Sequence, residues 1–152
     1  MSGAIKLTFL EKNLTIIRPF FVFVYGLMSY RVCSSNDVKE NSTMVVRIGR
    51  NDIVIGRRGG RLFAFDNSCP HRGASLSKGE LKGDNIICYM HGYEYNIFTG
   101  KLEHMTSWKK DAAWTEQSPE WRKSGDLTLF PVMEENGNVY IKFTNPNKNN
   151  RL

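Results

Sequence analysis

Cysteine and histidine are both scarce in this sequence: its 152 residues include three of each. Cys33, Cys69 and Cys88 make an odd and low count, which argues against a disulfide scaffold. Long hydrophobic runs are missing too. The apolar run Phe20–Met28 is far short of the ~20 residues a membrane-spanning helix needs, and Arg18–Pro19 blocks its extension backwards. No twin arginine precedes that run and no alanine-type cleavage site follows it, so a secretory leader lacks its usual flanks. No run of basic charge exists either. The net charge is +6, but lysine and arginine are scattered, which disfavours a nucleic-acid interface. An acidic protein partner is compatible with that charge. With 41% hydrophobic residues the chain is not of the disordered class, and its length suits one domain with a core of its own.

What is present is a set of short β-rich runs separated by turn residues. Met44–Ile48, Ile53–Ile55 and Leu62–Phe65 are three such runs, with turns at Gly49–Asp52 and Arg57–Gly60. A further strand is expected at Asn85–Tyr89, with alternation over Tyr93–Phe98 and a turn at Thr99–Gly100. Two closing strands are expected at Leu127–Met133 and Asn138–Phe143. The pattern predicts an all-β domain of antiparallel sheets over 28–145, followed by a polar tail over 146–152. Residues 1–27 read as an extension outside the fold. Targeting or anchoring, or an ordered part of the domain, are the alternatives. Met105–Asp126 is a long connection carrying Trp108, Trp114 and Trp121, expected to pin it onto the body of the protein. Cys33 is expected to be a small buried hydrophobe in the first strand.

Two stretches carry chemistry: CPHRG at Cys69–Gly73 and CYMHGY at Cys88–Tyr93. Each pairs a cysteine with a histidine on a loop expected at a hairpin tip. Thiolate and neutral imidazole both suit borderline-soft metals such as zinc and iron. Cys69, His71, Cys88 and His91 are therefore the candidate metal and cofactor ligands. Two structures satisfy such a set: one tetrahedral zinc with all four ligands, or a two-iron, two-sulfide cluster with two cysteines on one iron and two histidines on the other. The order Cys then His in both loops fits the second, because each loop then supplies one ligand to each iron. A zinc finger more often reads as a Cys pair followed by a His pair.

CPHRGASL and CYMHGYEYN resemble the two ligand boxes of Rieske iron–sulfur proteins. The resemblance spans roughly Ser29 to Phe143. It implies the Rieske fold, with antiparallel sheets or a small barrel and a cluster-binding subdomain formed by two hairpin loops. It further implies one [2Fe-2S] cluster per chain, with Cys69 and Cys88 on the inner iron and His71 and His91 on the outer one. Respiratory members carry an extra cysteine in each box and a serine two residues past the second histidine; Ala74, Met90 and Tyr93 stand at those places here. Fewer hydrogen bonds to the cluster imply a potential near the low end of the Rieske range of about −150 to +300 mV. Ring-hydroxylating oxygenases share the first box but also need a mononuclear iron held by two histidines and a carboxylate. Only His104 is left for that, so this stretch of chain is not such an oxygenase.

The chain is thus similar to the small free-standing Rieske ferredoxins. SYRVC, the Trp-bearing insertion and ENGNVYIKF are also similar to the small Rieske-domain proteins of animals. The function implied is that of an electron carrier between a reductase and an oxygenase or other acceptor, with no substrate-transforming site. A non-catalytic subunit of a multicomponent oxygenase or reductase is the alternative, and a zinc-binding interaction module a weaker one. A cytoplasmic location, redox-protein partners, no nucleic acid and no membrane span are expected.

Overall fold

In the computed structural model, residues 23–24, 27–105 and 123–144 are described, so the three tryptophans and the tail over 146–152 lie outside the described residues. The chain forms eleven strands in three antiparallel sheets among those residues. The first sheet has the order β1-β2-β11-β10, with β1 at Phe23–Val24, β2 at Leu27–Ser34, β10 at Val132–Glu135 and β11 at Asn138–Thr144. The second is β3-β4-β5, with β3 at Ser42–Ile48, β4 at Asn51–Arg58 and β5 at Arg61–Asp66. The third is β6-β7-β8-β9, with β6 at Glu80–Lys82, β7 at Asn85–Ile87, β8 at Glu94–Asn96 and β9 at Leu102–His104.

The middle sheet is buried on both faces. Side chains alternate across a strand, so neighbours along it enter opposite cores. Ile53 and Ile55 of β4 and Ala64 of β5 join Tyr30, Val32, Val139 and Ile141 in one core. Val54, Phe63 and Phe65 point the other way, into a second core with Leu76, Ile86, Tyr95 and Ile97. That is why the middle of β4, Ile53–Ile55, is apolar at every position: an antiparallel strand with one wet face would alternate with polar residues. Cys69 and Cys88 belong to this second core. Cys33 lies in the first core as expected, though on β2, the second strand in chain order.

Three details differ from the sequence reading. Pairing reaches back before Met28, since Phe23 and Val24 pair with Met28 and Leu27. The strand expected at Leu127–Met133 is broken. Leu129 makes an isolated bridge to Phe65, and the regular ladder begins only at Val132. Pro131 lies between them and has no amide proton to give to a ladder. Finally, only the second ligand loop is a hairpin tip, between β7 and β8. The first is closed by a single antiparallel bridge, Ser68 to Ser75, and leads into a 3-10 turn at Leu76–Lys78.

Candidate metal centre

Both ligand loops close in the same way. The Cys69 amide donates to the Ala74 carbonyl and the Gly73 amide to the Cys69 carbonyl, each at 2.8 Å. In the second loop the Cys88 amide donates to the Tyr93 carbonyl at 2.9 Å and the Gly92 amide to the Cys88 carbonyl at 2.8 Å. Gly73 and Gly92 sit at φ +76° and +71°, in the left-handed region where a side chain is strained. A glycine four residues after each cysteine is thus what turns both boxes.

The first loop is tied down at its base by Asn67. Its amide donates to the Asp52 carbonyl of β4, its carbonyl accepts from Leu76, and its side-chain oxygen accepts from the Ser77 amide. Gly79 brings the second loop close: a Cβ there would run into the Ile87 carbonyl, immediately before Cys88.

Depth separates the two kinds of ligand. Cys69 and Cys88 are 3% and 1% exposed, whereas His71 and His91 are half-buried. The imidazoles stand edge to face with centroids 4.8 Å apart. Tyr93 stacks on His71 at 4.2 Å and 16°, and the His71 Nδ1 is shielded from solvent. Met90 and Tyr89, each 42% exposed, border the second loop, and Arg72 is exposed on the first.

The electrostatics of the thiols follow from their pairing. The hydrogen bond with Cys88 pulls the Cys69 thiol down to about 5 against the opposing effect of burial, helped by Tyr95 and by the backbone amides of His71 and Arg72. The same bond and the same burial push the Cys88 thiol up, while the amides of Met90 and His91 oppose the rise. Two neighbouring sulfurs ringed by amide donors form a pocket built for negative sulfur. The Tyr95 hydroxyl lies 3.4 Å from the Cys69 sulfur and 2.9 Å from the Ser124 hydroxyl.

The structure sets Cys69 beside Cys88 and His71 beside His91, two pairs of the sequence-predicted ligands. A deep sulfur pair and a shallower imidazole pair match the donor set of a two-metal cluster with unlike ends. His104 lies away on β9 and is exposed. Two residues escaped the sequence reading. Tyr93 was seen only as a missing serine, although it stacks on a ligand. Ser124 reaches Tyr95 across 29 positions, and nothing in the local sequence signals such a contact.

Comparisons with known proteins agree with this geometry. The family model of the Rieske [2Fe-2S] domain matches residues 28–135. Ferredoxin CarAc of Metapseudomonas resinovorans is 37% identical over 71 residues, covering 46% of this chain and 66% of that protein. A human Rieske domain-containing protein is 26% identical over 115 residues, covering 72% and 71%. Among solved structures, a complex of reduced oxygenase and oxidized ferredoxin in carbazole 1,9a-dioxygenase superposes at a TM-score of 0.60 with 28% identity. That match covers 74% of this chain and 91% of the other. The cofactor is a Rieske-type [2Fe-2S] cluster. The deep cysteines, the shallower histidines and the matched span together place this chain in the Rieske [2Fe-2S] domain family.

Proposed function

We propose that this chain is a one-electron carrier in which Cys69 and Cys88 hold the inner iron and His71 and His91 the outer one. The observation that carries this reading is the depth order of the ligands, with buried sulfurs behind half-exposed imidazoles. When bound, the cluster supplies a centre that takes up and returns one electron. The chain's own residues fix the rest. The cysteine sulfurs lie out of water among amide donors, so their charge is met by dipoles that are already in place. Tyr93 fixes the plane of the His71 ring by stacking, which keeps one ligand orientation through both oxidation states. The imidazole edges present the short route between the centre and a docked protein.

The partners proposed are a reductase as donor and an oxygenase or another acceptor, in a cytoplasmic setting. The support is structural likeness to a solved complex of reduced oxygenase and oxidized ferredoxin. No helix among the described residues is long and apolar enough to cross a membrane. The domain proposed is 28–145, with the pairs made by Phe23 and Val24 as an addition at its edge.

The test is spectroscopic. The protein, loaded anaerobically with iron and sulfide, is expected to be red-brown and to show an EPR signal with average g below 2 on reduction. His71→Ala and His91→Ala are each expected to lose or alter that signal while keeping the β-sheet circular dichroism. An unchanged signal in either variant overturns the ligand assignment, and a colourless protein binding one zinc overturns the carrier.

A further inference from the structure

We infer that Ser124 is a positioning residue for the redox centre: it donates to the Tyr95 oxygen, which turns the Tyr95 proton onto the Cys69 sulfur. This rests on the ligand assignment above. The proton count decides the direction. Tyr95 has one hydroxyl proton and two neighbours, the Cys69 sulfur at 3.4 Å and the Ser124 oxygen at 2.9 Å. A thiolate bound to iron only accepts, and a charged acceptor outcompetes a neutral hydroxyl. Tyr95 therefore gives its proton to the sulfur, and its oxygen is left to accept. Ser124 also has one proton and two outlets, the Tyr95 oxygen at 2.9 Å and the Gly125 carbonyl at the longer 3.1 Å. Giving it to Tyr95 completes a chain in which each hydrogen bond polarises the next.

The surroundings hold Ser124 in that place. Asp126, two residues on, accepts from the Leu102 amide at 3.0 Å and from the Lys101 ammonium at 2.7 Å. The Leu127 amide donates to the Gly100 carbonyl at 2.7 Å. The segment is thereby stitched to the strand pair that carries Tyr95. Tyr95 itself is fully buried, so no water competes for its hydroxyl.

A stronger donor to the sulfur favours the reduced, more negative state. Film voltammetry on the loaded full chain at fixed pH measures this. Ser124→Ala is expected to lower the reduced-to-oxidised ratio at a given potential by about twofold, a fall of about 18 mV at ~59 mV per tenfold. Tyr95→Phe is expected to cost about tenfold, or about 59 mV. In the Tyr95→Phe background, Ser124→Ala is expected to add nothing. Ser124→Thr keeps the hydroxyl and is expected to hold the wild-type potential, whereas its isostere Ser124→Val falls with alanine. In resonance Raman spectra the deuterium sensitivity of the iron–cysteine stretch is expected to shrink in Ser124→Ala. An unmoved potential in Ser124→Ala overturns the inference, as does a shift that survives in the Tyr95→Phe background. Loss of the cluster in both Ser124→Ala and Ser124→Val makes Ser124 a purely structural residue and overturns it too. A wild-type chain that never shows the Rieske spectrum fails the ligand assignment instead.

Discussion

Tyr93 is 2% exposed and lies flat against His71, so its ring fills space as well as orienting a ligand. Serine at this place would restore the hydroxyl that respiratory members carry, but it would also empty the volume of an aromatic ring. Large-to-small changes of this kind cost about 3–5 kcal/mol in a core. Tyr93→Ser is expected to lose about 3 kcal/mol in denaturant unfolding, and Tyr93→Phe, which keeps the stack, less than about 1 kcal/mol. Equal stability of the two variants would show that the ring packs for nothing. Cys33 offers a prediction in pH. Burial, with the Asp37 charge behind it, pushes its thiol up from 9.0 to about 11. Between those values the unfolded chain has released a proton that the folded chain keeps. Stability is therefore whole below 9 and falls as pH rises through that window. An alkaline unfolding series on wild type and Cys33→Ala is expected to differ in slope there and to run parallel below it.

Among the elements, the boxes were legible in the sequence because metal ligands announce themselves by residue type and spacing. Ile53–Ile55 was legible only as a short β run, and its burial on both faces emerged with the two cores it separates. The first loop was misread as a strand hairpin because its closure depends on one bridge, Ser68 to Ser75, and on Asn67 bonding to β4 and to the 3-10 turn. Contacts of that kind join residues far apart and leave no periodicity. The contact of Ser124 with Tyr95 was illegible for the same reason. Gly79 gives the sharpest test of how the loops are held. Its φ of −81° is open to any residue, so only space forbids a side chain, and the obstacle is the backbone at Ile87. Gly79→Ala is expected to push Ile87 and Cys88 outward, lowering cluster occupancy several-fold at unchanged strand content. Iron per chain measured beside circular dichroism checks this, and full occupancy would mean that β6 and β7 slide apart freely.

Across the whole molecule, the sheet holding β2 has two independent supports. β11 pairs with β2 along Leu27–Ser34, while β1 adds only the two pairs at Phe23 and Val24. A chain beginning at Met28 keeps nearly the whole longer ladder and the core residues Tyr30, Val32 and Cys33. It is expected to assemble the cluster with the same spectrum and to melt slightly earlier. A colourless or aggregated product would put residues 1–27 inside the domain.

The middle sheet sets a limit on transplantation. Phe63, Phe65 and Val54 are the floor on which the ligand loops rest, and the opposite face of the same strands is the wall of a different core. A protein engineer who copies only the two boxes and β6–β9 into another scaffold therefore takes a redox site without its foundation. Taking β4 and β5 as well strips Ile53, Ile55 and Ala64 of their cover and leaves an oily surface that the new host must match. The portable unit is nearly the entire domain, so the centre travels between proteins as a whole module or not at all.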